Sequence, residues 1–121
     1  MSAVTNGFSS RNTAAALAVL LGIGSPAVAD TPMTGKVILE QMPRNEFVVF
    51  VTGIVEGMAY ARFRKDTLAS GSKVEDGMTC IRDWFHGDAQ VILKIEDAFR
   101  QYDQYAPWVV LGAMIKKKCG E

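Results

Sequence analysis

The sequence predicts an all-α protein: a small four- to five-helix bundle stapled by one disulfide, after an N-terminal signal peptide. Three observations carry this. Apolar residues return at spacings of three and four through several segments beyond residue 34, the signature of helices with one buried face. Pro43, Gly87 and Pro107 fall between those segments, where helices stop or start. Only two cysteines are present, Cys80 and Cys119, far apart in the chain.

The beginning of the chain has its own pattern. Residues 2–11 are polar with one positive charge, Arg11. Residues 14–24 read AAALAVLLGIG, and Ala27-Val28-Ala29 ends a short small-residue stretch. Basic head, brief apolar run and Ala-x-Ala site together are a secretory signal, with cleavage expected after Ala29. The alternative is a retained anchor, but the apolar run of 11 residues is short of the roughly 20 that span a bilayer. Residues 1–29 are thus read as signal peptide and 30–121 as a single domain without stable membrane insertion.

The whole chain has 13 basic and 13 acidic side chains; removing residues 1–29 takes away only Arg11 and leaves a net charge of −1. That balance lacks the basic footprint of a nucleic-acid partner. Export would place both cysteines in an oxidising compartment, where one Cys80 to Cys119 bridge is the expectation and two free thiols the alternative. Closing a loop of that length stabilises a small domain by roughly 4 kcal/mol on a chain-entropy argument.

In chain order, residues 35–42 (GKVILEQM) read as a short helix with Val37, Ile38 and Gln41 on one side, stopped by Pro43. Asn45 is an expected N-cap for a long helix over 46–64, whose stripe would be Phe47, Phe50, Val51, Ile54, Met58 and Ala61. It is too long for a strand and carries Glu56 where a membrane span would be deepest. Gly53 and Gly57 share a face, read either as a site of tight helix packing or as the floor of a shallow groove edged by Glu56 and Tyr60. Residues 64–77 (RKDTLASGSKVEDG) read as a polar connection. Residues 78–85 suit one or two helical turns with Cys80 inward. Asp88 is expected to cap a helix bearing Ile92, Ile95, Phe99 and Tyr102, in which Glu96 can pair with Arg100. Pro107 suits the first turn of a last helix with Trp108, Leu111, Gly112, Ile115 and Cys119 on the core face.

Signals for catalysis are sparse, and the chain is read as a non-enzyme with no catalytic, cofactor or metal residues. His86 follows Cys80 by six residues, but a disulfide would remove the thiolate, and no third ligand stands at a recognised spacing. No P-loop, dinucleotide fingerprint or nucleophile elbow occurs. The methionines are scattered, as packing residues are.

Taken in order, GKVILEQM, FVTGIVEGMAYA, Cys80, the IEDAFRQY helix and APWVVLGAMIKKKCG resemble the Rap/Tai family. These are small exported helical proteins of Gram-negative bacteria, named for immunity to peptidoglycan amidases delivered by type VI secretion. Residues 53–57 take the place of the family's glycine-bearing helix, Tyr105-Ala106-Pro107 that of its proline-containing join, and Cys80 and Cys119 those of two family cysteines. The chain departs from the pattern in lacking a second cysteine pair, with Gln41 or Met42 at one position and none in 47–52, and in having Ile54 where an aromatic is usual. The resemblance implies a periplasmic protein-binding protein, in one form a homodimer, that plugs a cell-wall amidase effector. The 65–76 segment, with Lys65, Asp66, Ser70, Lys73, Glu75 and Asp76, is the expected recognition loop, joined by Glu56 and Tyr60. Two other readings stay open. One is an acid-stress chaperone that dissociates when carboxylates such as Glu56 or Asp97 are protonated. The other is an envelope-surface factor that exposes Phe99, Tyr102, Tyr105 and Trp108.

Overall fold

Residues 32–121 are described by a computed structural model; the segment read as a signal peptide lies outside them. Among the described residues five helices follow one another: α1 (Gly35–Gln41), α2 (Arg44–Ser70), α3 (Asp76–Gly87), α4 (Val91–Gln101) and α5 (Pro107–Cys119). The all-α expectation holds. None of these helices is long and apolar enough to cross a membrane.

Helix α1 begins where the Thr34 hydroxyl accepts the Val37 N–H at 3.3 Å. Two amides of its first turn, which have no partner within a helix, are satisfied from outside: Gly35 donates to the carbonyl of Tyr105 at 2.9 Å and Lys36 to that of Asp103 at 3.0 Å. Gly35 permits this docking, because a Cβ there would come within 3.0 Å of the Phe99 carbonyl oxygen. Ile38 is buried, whereas Gln41, expected beside it, is exposed.

Helix α2 is longer than expected at both ends. It starts at Arg44, directly after Pro43, so Asn45 lies exposed inside the first turn and makes no cap. Its last two turns run through what reads as polar connection, since residues 64–70 contain good helix formers and no breaker before Gly71. Gly71 ends it in the left-handed conformation at φ 78°, with its N–H donated to the Thr67 carbonyl at 2.9 Å. Only residues 71–75 are left as a link. The buried stripe is Phe47, Val51, Val55 and Ala59; Phe50, Ile54 and Met58 flank it and Ala61 faces out.

Helix α3, three turns rather than one or two, packs along α2 through Ile81 and Phe85. Gln90, not Asp88, is the N-cap of α4; Asp88 stands three residues before the helix, where its carboxylate accepts the Gln90 N–H at 2.9 Å and pairs with Lys94 at 2.7 Å. Val91, Ile95 and Phe99 carry α4 into the core, where Phe99 meets Phe47 edge to face with centroids 5.7 Å apart. Such a contact adds about 1 kcal/mol beyond the area it buries. Glu96 is buried beside them, ion-paired with Arg44 of α2 and, at 3.6 Å, with Arg100.

Helix α5 starts at Pro107 as expected and buries Pro107, Val110, Leu111 and Ile115. Trp108, expected on the core face, is half-exposed instead. The turn of helix that buries Pro107 and Leu111 necessarily points position 108 about 100° away. Cys119 is bonded to Cys80, with Cα atoms 5.9 Å apart, so the end of α5 is stapled to α3.

Candidate functional site

The residues singled out from sequence do not form one surface. Lys65, Asp66 and Ser70 lie on the last turns of α2, Lys73 and Glu75 in the short link, and Asp76 opens α3. Several are already engaged. Arg62 Nε donates to Asp66 at 2.8 Å, Ser70 and Ser72 share a hydrogen bond at 3.0 Å, and Lys73 pairs with Glu75 at 2.9 Å. The Thr67 hydroxyl accepts the Val74 N–H at 3.1 Å and folds the link back onto the helix. The segment expected as a long adaptable loop is therefore the end of α2, the link 71–75 and the start of α3.

Glu56 and Tyr60 separate in the same way. Glu56 leans from α2 to α3, where it accepts from Arg82 at 2.9 Å and from His86 Nε2 at 2.9 Å. The His86 bond and then the Arg82 bond hold its carboxyl below the usual carboxylate range. With Cys80 in the disulfide, His86 serves this link between helices. Tyr60 points to solvent. Gly53 and Gly57 are exposed, and a Cβ at either would meet nothing within 4 Å, so no helix of this bundle packs on them.

A concavity of the described residues lies elsewhere, between the end of α4 and the outer side of α5. It is an open groove of about 430 Å³, floored by Ala98, Val110 and Met114 and walled by Tyr102, Tyr105 and Val109, with Lys117 at one end. Tyr102 and Tyr105 stand edge to face at 6.3 Å, both about half-exposed, as is neighbouring Trp108. Their backbone is anchored, because the 102–105 turn closes with Tyr105 N–H on the Tyr102 carbonyl at 3.1 Å and α1 donates into the same turn. Aromatic walls on a fixed turn, an apolar floor and one ammonium make a surface suited to an apolar or aromatic side chain next to a carboxylate.

Tyr102 and Trp108, expected on the core faces of their helices, are both half-exposed; only the envelope-surface alternative has them exposed together with Tyr105, and Phe99, which that alternative also exposes, is fully buried. The useful signal was the spacing of three in Tyr102, Tyr105 and Trp108 across Pro107, where a helix ends and another begins. A second depression of about 330 Å³, bounded by Met58, Gly112 and Lys116, is shallower. At its edge Arg62 is committed to the carbonyls of Gly120 and Cys119, at 3.0 and 3.4 Å.

Compared with family models, with curated proteins and with solved structures, the chain matches none.

Proposed function

We propose that this chain is an exported periplasmic protein-binding protein of the immunity type, whose partner is a peptidoglycan amidase, as its resemblance to the Rap/Tai family implies. The observation that carries a binding role is the groove of Tyr102, Tyr105, Val109 and Lys117: exposed aromatics held on an anchored turn beside an apolar floor. Burial of two such rings on a partner supplies hot-spot contacts at little entropic cost, since the turn is already ordered. The Cys80–Cys119 bridge is compatible with an oxidising compartment.

The test is capture of partners by the purified oxidised protein from periplasmic and secreted fractions, followed by amidase assays with the recovered hydrolase. Inhibition that weakens at least about tenfold in Tyr105→Ala, with unchanged melting temperature, supports the reading. Capture of no cell-wall hydrolase at neutral pH sinks it.

Glu56 favours a second reading, the acid-stress chaperone, because its bonds join α2 to α3 and are lost on protonation. Capture of many unrelated proteins only in strong acid would favour that reading over the first.

A further inference from the structure

Resting on the binding role proposed for the groove of Tyr102, Tyr105 and Lys117, we infer that its occupant is an amphipathic helix of the partner protein, which seats apolar side chains between the tyrosines and sets a carboxylate two turns further along, on Lys117.

The two ends of the groove differ in chemistry. Tyr102, Tyr105 and Val109, each about half-exposed, make one end apolar and aromatic. The other end is cationic. Lys117 lines it, Lys118 follows, and neither has an ion-pair partner among the described residues. On α4, Lys94 stands one turn before Ala98 of the floor. Asp88 neutralises only part of this charge. It pairs with Lys94 at 2.7 Å, and its carboxyl is held below the usual range by that bond, then by the Gln90 N–H, with Lys118 adding at longer range. The excess of positive charge selects a partner that is acidic at this end.

A helix is the element that fits between those ends. α4 and α5 bond their backbone groups internally, so the groove has no edge on which an extended strand could pair. An extended segment laid on Ala98, Val110 and Met114 would leave its own amides unsatisfied there, whereas a helix carries its hydrogen bonds within itself. The short side chains of Ala98 and Ala113 let such a helix lie close. From Val109 to Lys117 α5 advances about 12 Å, a distance that a second helix alongside covers in about seven or eight residues. Apolar or aromatic residues at positions i and i+3 or i+4 of the partner therefore enter beside Tyr102 and Tyr105, and its carboxylate falls at i+7. The lysines also favour the negative, C-terminal end of the partner helix, which fixes its direction as that of α5.

The experiment selects binders of the purified oxidised protein from a displayed library of helix-forming peptides about four turns long, randomised along one face. The expected enrichment is of large apolar or aromatic residues at i and i+3 or i+4, with Asp or Glu at i+7. A synthetic peptide of the enriched sequence should gain helicity on binding and should bind Tyr105→Ala at least about tenfold more weakly, the melting temperature of the variant being unchanged. Lys117→Glu should weaken binding about fivefold, and exchanging the peptide's carboxylate for lysine should recover the loss. No enrichment, apolar residues alternating as in a strand, equal use of acid and base at i+7, or indifference to both variants would each overturn the inference. The library contains no amidase, so the outcome is separate from that of the capture experiment. Helices that bind where no hydrolase is captured keep this occupant and remove the amidase; a captured hydrolase indifferent to Lys117→Glu keeps the amidase and removes the helix.

Discussion

Gly35 donates its backbone N–H to the carbonyl of Tyr105 at 2.9 Å, so the first helix is seated on the backbone of the turn whose side chain walls the groove. A side chain at position 35 would press on the Phe99 carbonyl, which cannot move without shifting the core. Gly35→Val is expected to lower stability by about 1–3 kcal/mol and to loosen the 102–105 turn. Urea denaturation reads the first effect; amide hydrogen exchange at Tyr105 reads the second. A stability change below about 0.5 kcal/mol would mean that α1 slides aside.

Not all glycines here behave alike. A Cβ at Gly77 would fall 2.5 Å from Arg62 Nε, displacing the guanidinium from Asp66 and from the carbonyls that end α5. Gly77→Ala should therefore cost about 1–3 kcal/mol, and should cost less in an Arg62→Ala background, where nothing is displaced. Gly53→Ala, with open space above it, should instead raise stability by up to about 1 kcal/mol. Thermal unfolding of the four variants checks all three expectations, and equal costs at positions 77 and 53 would contradict the Arg62 account.

The Glu56 carboxyl, lowered by His86 and then Arg82, makes a pH-dependent contribution of known sign. A folded-state value below the unfolded one adds stability that is fully present above the unfolded value, near 4.5, and is lost as pH falls through the lowered folded value. The gap between the wild-type protein and Glu56→Gln should thus be widest at neutral pH and close in acid. Because the carboxylate is about a third exposed, the gap should stay below about 1 kcal/mol. Chemical denaturation from neutral pH down to about pH 3 tests it. A gap that widens in acid would refute the assignment.

The bridge between Cys80 and Cys119 spans 39 residues and fastens the end of α5 to α3. Reduction, or the Cys80→Ser/Cys119→Ser double variant, is expected to cost roughly 4 kcal/mol, a large share of the stability of a domain this small. The denaturation midpoint with and without reductant measures it. A shift under about 1 kcal/mol would mean that the unfolded chain is already restricted.

Much of the architecture was legible because its causes are local. Periodicity at three and four marked the helices, Pro107 marked the start of α5, and two cysteines allow only one intramolecular pairing. Glu96 and Arg100 paired as their helical spacing required. The 64–70 stretch misled for a physical reason: polarity reports exposure rather than conformation, and a helix can run past the body it packs on until a breaker such as Gly71 stops it.

What the sequence determined by itself was the class of the fold, the proline that opens α5 and the pair of cysteines that staples it, since a proline or a cysteine acts through its own covalent structure. The tertiary structure alone decided which face of each helix is inside. α2 is apolar on several sides, so its neighbours, not its periodicity, chose Phe47, Val51, Val55 and Ala59 and left Gly53 and Gly57 open. In α5 the choice of Pro107 and Leu111 for the core turned Trp108 outward. The groove arose the same way, because its floor comes from α4 and α5 and its walls from the turn between them. Burial depends on surfaces far apart in the chain, and a one-dimensional pattern with more than one apolar face does not say which of them will meet.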